Sequence, residues 1–242
     1  MLEHIKTENI LFLDVETVSQ FETYNDLDDR WRKLWERKAK FLIKENEDAE
    51  DAYARAAIYA EFGKIICISV GYLGKQNDKR VFRIKSFYGE DEKQLLNDFA
   101  ELLNTKFNNT DYLLCAHNGK EFDFPYISRR MLVNGIALPH LLNLAGRKPW
   151  EVQHIDTMQL WKFGDYKHYT SLDLLSALFG LPSPKDDIDG SQVGKTYYKD
   201  KKKGLKKIVE YCENDTLTVA QIFLSYKGEK HLDKTEISKA ND

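Results

Sequence analysis

Four large apolar residues, Ile10-Leu11-Phe12-Leu13, run without a break into Asp14-Val15-Glu16-Thr17-Val18. A strand that is apolar on both sides must be covered on both sides, so this stretch demands a layered fold with the strand near its middle. Side chains alternate across a strand, which puts Asp14 and Glu16 on one face, with Ile10 and Phe12 continuing that face back into the core. A carboxylate pair at the mouth of a buried strand is unfavourable unless something positive meets it. On its own the pair also fits an acidic strand end facing water, or the cap of a following helix.

The chain has 242 residues, 42% hydrophobic, 12% aromatic and 31% charged, enough for a sizeable core and inconsistent with extended disorder. A net charge of −3 argues against a protein that coats nucleic acid by charge alone, though not against one that grips a strand end. Cys67, Cys115 and Cys212 lie far apart inside apolar runs and read as reduced core residues, neither ligands nor disulfides. No apolar run approaches the roughly 20 residues of a membrane span, and no signal peptide precedes the first strand, so a cytoplasmic protein with no membrane partner is expected.

Between residues 21 and 60, Trp31, Leu34, Trp35, Lys38, Phe41 and Leu42 follow helical spacing, with Arg30, Arg32, Lys33, Arg37 and Lys40 on another face. A second helix is expected from Asp48 to Tyr59. The pair reads as a helical insertion after the first strand, either solvated surface or a guide for a polyanion. Ile65–Tyr72 and Arg80–Tyr88 read as an antiparallel hairpin, turning through Gly74, Asn77 and Asp78. A helix follows from Glu92 to Phe107, then a buried strand from Tyr112 to Ala116, then a helix carrying Ile127, Met131 and Leu132. His154 to Thr157 reads as a short extended piece ending in Asp156 as an N-cap. Ser171 is expected to cap the helix Leu172–Phe179, closed by Gly180. A last long helix runs from about Leu205 to Tyr226, ahead of a loose charged tail from about 228 to 242. These elements make an α/β fold, a mixed five-stranded sheet flanked by helices, in a single domain.

Three acidic stations stand out. They are Asp14 with Glu16, Asp123 just past a strand end beside Asn118 and Gly119, and Asp215, which shares a helix face with Tyr211 four residues earlier. Glu213 falls on a different side and is expected to be solvated. Converging carboxylates repel and raise one another's proton affinity, and divalent cations reverse that by supplying positive charge. Oxygen donors without a Cys/His cluster favour Mg2+ or Mn2+ over zinc. Asp186, Asp187 and Asp189 sit in a loop from Pro182 to Gly190 whose turn chemistry accounts for them. His117 reads as a buried or capping histidine, and Lys201, Lys202, Lys203, Lys206 and Lys207 as a solvated run.

Leu13-Asp14-Val15-Glu16-Thr17, Asn118-Gly119-Lys120-Glu121-Phe122-Asp123, and Tyr211 four residues before Asp215 together resemble the DEDDy set of 3′–5′ exonucleases in the DnaQ-like superfamily. The nearest likeness is to stand-alone bacterial exonucleases related to the proofreading domain of family-B DNA polymerases. The resemblance implies an RNase H-like fold and a two-metal mechanism that removes nucleoside 5′-monophosphates from DNA 3′ ends, single-stranded or frayed. It implies that Asp14, Glu16, Asp123 and Asp215 hold two divalent cations, Mg2+ or Mn2+, and that Tyr211 orients the attacking water. With an unperturbed pKa of about 10, Tyr211 is not expected to be the general base. Val15, Thr17, Asn118 and Phe122 would lie near the terminal nucleotide, Phe122 by stacking on a base or else as a core aromatic.

Two alternatives remain open at this stage. The motifs concern metals and phosphate and not the sugar, so an exoribonuclease trimming RNA ends fits them too. A non-catalytic nucleic-acid-binding module on the same fold is the other. A chain of this length does not hold a polymerase as well, so proofreading would need a DNA polymerase or repair partner.

Overall fold

The computed structural model describes residues 2–165, 169–183 and 188–240. Its centre is a strand, β1 (Ile10–Ser19), with neighbours on both edges. β2 (Gly63–Gln76) pairs with it antiparallel, and β3 (Lys79–Tyr88) pairs with β2 in turn. The link between them is Asn77-Asp78, both at positive φ (50° and 59°), as a tight hairpin turn requires. α2 (Glu92–Lys106) then crosses over and delivers β4 (Leu113–Ala116) parallel to β1 on its other edge. α3 (Asp123–Val133) follows, and β5 (Ile155–Asp156) adds parallel to β4.

The helical remainder comprises α4 (Thr157–Lys162), α5 (Leu172–Leu178), α6 (Val193–Lys199) and the 27-residue α7 (Lys201–Lys227). Ser171 caps α5 by accepting from the Leu174 N–H, and Gly180 lies at φ +66° just past its end. Among the described residues, no helix is long and apolar enough to cross a membrane.

The alternation expected of β1 holds. Leu11, Leu13 and Val15 face the layer of α2 and α3, against Leu96, Phe99, Leu103, Phe124 and Ile127. Ile10 and Phe12 face α7 and meet Val219, Ala220, Phe223 and Leu224, with the rings of Phe12 and Phe223 5.7 Å apart. A helix layer on each face of a mixed sheet is the arrangement expected from the sequence, an RNase H-like α/β fold.

Three expectations need correcting. The sheet has six strands, ordered β5-β4-β1-β2-β3-β6, because the charged tail expected to be loose contributes β6 (Ile237–Lys239), parallel to β3. That tail is pinned by side chains: Arg80 pairs with Glu236 at 2.9 Å, and Leu232 is buried, exchanging hydrogen bonds with Gln221. Within the insertion, α1 (Asp29–Ala39) ends before Phe41, which is 88% exposed. The expected second helix is a 3-10 stretch over Asp51–Ile58.

Candidate active site

Asp14 and Glu16 stand on the α7 face of β1, where the strand leaves the apolar core. Just beyond them the ladder slips: Glu16 pairs with Cys67 but Thr17 pairs with Ile65, so Ile66 is an extra residue on β2. Val18, Ile66, Cys67 and Cys212 fill the space under this end of α7.

Asp123 reaches the same place from the other edge. After β4 the chain makes a tight loop through Asn118, at φ +64°, to the first turn of α3. Gly119 belongs there because a Cβ would lie 2.5 Å from the Ala116 Cβ and 2.8 Å from the Phe124 ring. The loop is held by a residue far ahead in sequence. Asp156 accepts the Asn118 N–H at 3.0 Å and the Lys120 N–H at 3.1 Å, while also capping α4 through the Met158 and Gln159 N–H groups. The Asp156 cap is expected from the sequence; its grip on the loop is not. His117 is held between the Thr157 hydroxyl and the Thr170 carbonyl, both at 2.9 Å, in agreement with a structural histidine.

The third contribution comes from α7. Tyr211 lies one turn before Asp215 on the same face of α7, near enough that the Asp215 carboxylate pushes the Tyr211 hydroxyl up. One residue from Tyr211, the Cys212 thiol donates to the Asp14 carbonyl at 3.3 Å, which fixes the helix against β1 at this level. The sulfur also lies within 4.8 Å of carboxylate oxygens of Asp14 and Glu16. A lone cysteine in an apolar run gives no sequence signal for this neighbourhood.

Electrostatics report the convergence. Burial raises the Asp14 carboxyl to about 7, with the charge of Asp123 adding to it. Burial also raises Glu16 well above the usual carboxylate range, followed by the charges of Asp14, Asp215 and Asp123. Asp123 is lifted to about 8 by burial first, then by Asp156 and Asp215. The Val15 N–H opposes this by donating to both Asp14 and Asp123. Burial, then Asp215, Glu16 and Asp14, push the Tyr211 hydroxyl up as well, so it stays protonated. Asp14, Glu16, Asp123, Tyr211 and Asp215, drawn from three separate elements, are therefore near enough for their charges to raise one another's proton affinity.

The donor set fits hard divalent cations. The Asp14 Oδ2 atom is buried and has no hydrogen-bond partner among the described residues, which is costly for a carboxylate unless a cation meets it. Oxygen donors dominate, as Mg2+ or Mn2+ prefers.

The flanking residues divide. Asn118 presents a buried side-chain oxygen with no partner among the described residues, beside Asp123. Phe122 is half-buried in the same loop, its ring 5.3 Å from Tyr126. Val15 offers its main chain to the carboxylates while its side chain is in the core. Thr17 turns its hydroxyl to the Ala57 carbonyl of the insertion at 2.9 Å. Glu213 is not solvated: it is 9% exposed and accepts from Ser86 at 3.0 Å and from Lys239 of β6. Asp189 caps a 3-10 turn through the Ser191 N–H, whereas Asp186 and Asp187 lie outside the described residues. Of the lysine run, Lys201 pairs with Glu90 at 3.0 Å and Lys203 lies 3.9 Å from Asp200, both exposed.

A search of curated proteins found no match to the chain. Residues 58–241, more than half of it, match a family described as predicted 3′–5′ exonucleases related to the exonuclease domain of PolB. β1, with Asp14 and Glu16, precedes the matched residues, so its place in the site stands on the geometry above. The chain belongs to this family of predicted 3′–5′ exonucleases.

Proposed function

We propose that the chain is a DEDDy-type 3′–5′ exonuclease that depends on divalent cations and removes nucleoside 5′-monophosphates from single-stranded or frayed DNA. The observation that supports this most is that buried acids from β1, α3 and α7 raise one another's proton affinity, with an Asp14 oxygen that no group among the described residues satisfies. Asp14, Glu16, Asp123 and Asp215 would hold two cations, Mg2+ or Mn2+. When bound, these neutralise the acids and stabilise the entering and departing oxygens of an in-line displacement at phosphorus.

The chain's own groups do the rest. Water oxygen joins phosphorus as the bond to the 3′ oxygen of the preceding nucleotide breaks, and that oxygen leaves as a hydroxyl. Tyr211 stays protonated, so it serves as a hydrogen-bonding group that orients the water and not as a base. The Asn118 amide and the Phe122 ring flank Asp123, where a terminal nucleotide could be held by hydrogen bonding and stacking. Asp156 fixes the loop that carries them.

A 5′-labelled single-stranded oligonucleotide should shorten stepwise with Mg2+ or Mn2+ and survive in chelator. Asp14→Ala should abolish shortening. Matched RNA decides sugar preference. A substrate left intact with both ions removes the proposal.

A further inference from the structure

The insertion after β1 packs through one side of α1. Trp35 is fully buried, its ring 5.4 Å from Tyr53 and 5.1 Å from Phe62, and its indole N–H donates to the Ala49 carbonyl at 2.7 Å. Two cations of the helix are committed to protein groups. Arg32 donates to the Leu27 carbonyl at 3.1 Å and lies 5.4 Å from the Tyr24 ring, and the Lys38 ammonium sits 4.1 Å from the Tyr59 ring.

The remaining four are arranged differently. At about 100° per residue, Arg30, Lys33, Arg37 and Lys40 fall within about 80° of one another, on the side away from Trp35. All four are exposed, and none makes a side-chain hydrogen bond or ion pair among the described residues. Asp29 and Glu36 border one edge of this stripe, and Glu36 is already held by the Tyr24 hydroxyl at 2.8 Å. Phe41 stands 88% exposed at its C-terminal end. Like charges three and four residues apart on a helix repel; Asp29 and Glu36, four residues before Lys33 and Lys40, offset part of this, and a polyanion lying along the stripe would relieve the rest.

Its position fits such a ligand. The insertion departs from β1 at Ser19, just past Glu16, and the Ala57 carbonyl takes the Thr17 hydroxyl, which anchors the insertion at the carboxylate end of the strand. The stripe precedes residues 58–241, so membership of the family does not assign it.

We infer that Arg30, Lys33, Arg37 and Lys40 form a track for the phosphates of single-stranded DNA upstream of the terminal nucleotide, with Phe41 as a stacking platform. The inference rests on the exonuclease reading for its ligand, yet its test reads binding without turnover. Fluorescence anisotropy in chelator would follow a labelled oligothymidylate of about twelve nucleotides, longer than the active site alone can cover. Replacing all four cations with glutamine should weaken binding about tenfold or more and lower the magnitude of the log–log salt slope by about 2–3, at roughly 0.7 per phosphate contact.

The double variant Lys33→Gln/Arg37→Gln should lose part of this. Lys75→Gln/Lys79→Gln, which removes the same charge from exposed positions at the β2–β3 hairpin, should bind like the parent. Equal binding by the parent and the four-fold variant, or equal loss in the two double variants, overturns the inference. The function proposal is judged separately, by whether the parent shortens an oligothymidylate of about three nucleotides once Mn2+ is added, a substrate too short to need the track.

Discussion

Asp14→Asn should make the cation-free protein more stable while destroying its activity. An Asp14 carboxyl raised from 3.8 to about 7 corresponds, at 1.36 kcal/mol per pH unit, to about 4 kcal/mol held against the ionised native state. Part of this is shared with Glu16 and Asp123, so a single neutralisation should recover roughly 2 kcal/mol, or about 4–8 °C in Tm for a chain of this size. The direction with pH follows from linkage. The native state keeps protons that the unfolded chain has released, so cation-free stability falls as pH rises through about 7 and levels off above it. The amide does not titrate, so the gap between variant and parent should open over that range. The Cys212 thiol bonds the Asp14 main-chain carbonyl and is untouched by the change. Scanning fluorimetry in chelator at several pH values reads the gap. Adding Mn2+ should raise the parent's Tm and move the variant's much less, because binding to the native state alone stabilises it. If the variant melts below the parent in chelator at pH 8, or Mn2+ leaves the parent's Tm unchanged, the ionised Asp14 does not carry the burial and charge penalty described here.

Three further predictions concern the frame around the site. Glu92 and Arg130 are both buried and paired through two hydrogen bonds at 2.6 and 2.9 Å, with Glu92 also accepting the Ile65 N–H. Glu92→Ala should lower stability by about 3–5 kcal/mol in urea titration, whereas Glu92→Met/Arg130→Met should recover much of the loss, since an unpaired buried charge is the larger penalty. Asp156→Ala should lower kcat by roughly 10²-fold through misplacement of the Asp123 loop; unchanged kcat would deny Asp156 its positioning role. Burial depresses His154 to about 4, so the unfolded chain takes up a proton first as pH falls. The His154 contribution alone should fall by about 3 kcal/mol between pH 6.5 and about 4, against the opposite trend of the site acids, so over that range the Tm of His154→Gln should rise relative to the parent's.

Local pattern made much of the fold legible. The alternation in β1, the Asn77-Asp78 turn, and the caps at Ser171 and Asp156 are each decided by a few neighbouring residues. What escaped depends on distant partners. Ile237–Lys239 is too short and too charged to read as a strand, and it forms because β3 has a free edge and Arg80 holds Glu236. Glu213 reads as solvent-facing from its helix angle alone, since only the folded tail brings Lys239 over it. The acids of the site were legible as types at suitable spacings, but spacing says nothing of Cys212 or of the grip of Asp156 on residues 118 and 120.

The site's precision rests on how α7 is pinned, because a helix that slips by one residue turns its side chains by about 100°. Three kinds of contact oppose that slip at successive levels. Below Asp215, the Cys212 thiol meets the Asp14 carbonyl, a main-chain atom of the very residue whose carboxylate the helix must face. Immediately above, the Thr216 hydroxyl meets the Ser69 carbonyl of β2 at 3.2 Å. Further along, Phe223 packs on Phe12, two positions before Asp14 on the same face of β1. Asp215 is thus bracketed by contacts to β1 and β2, and Tyr211 lies one residue from the first of them. The apolar half of β1 that demanded a covering layer and the acidic half that carries the proposed site are aligned by one helix, so the core sets the register of the site.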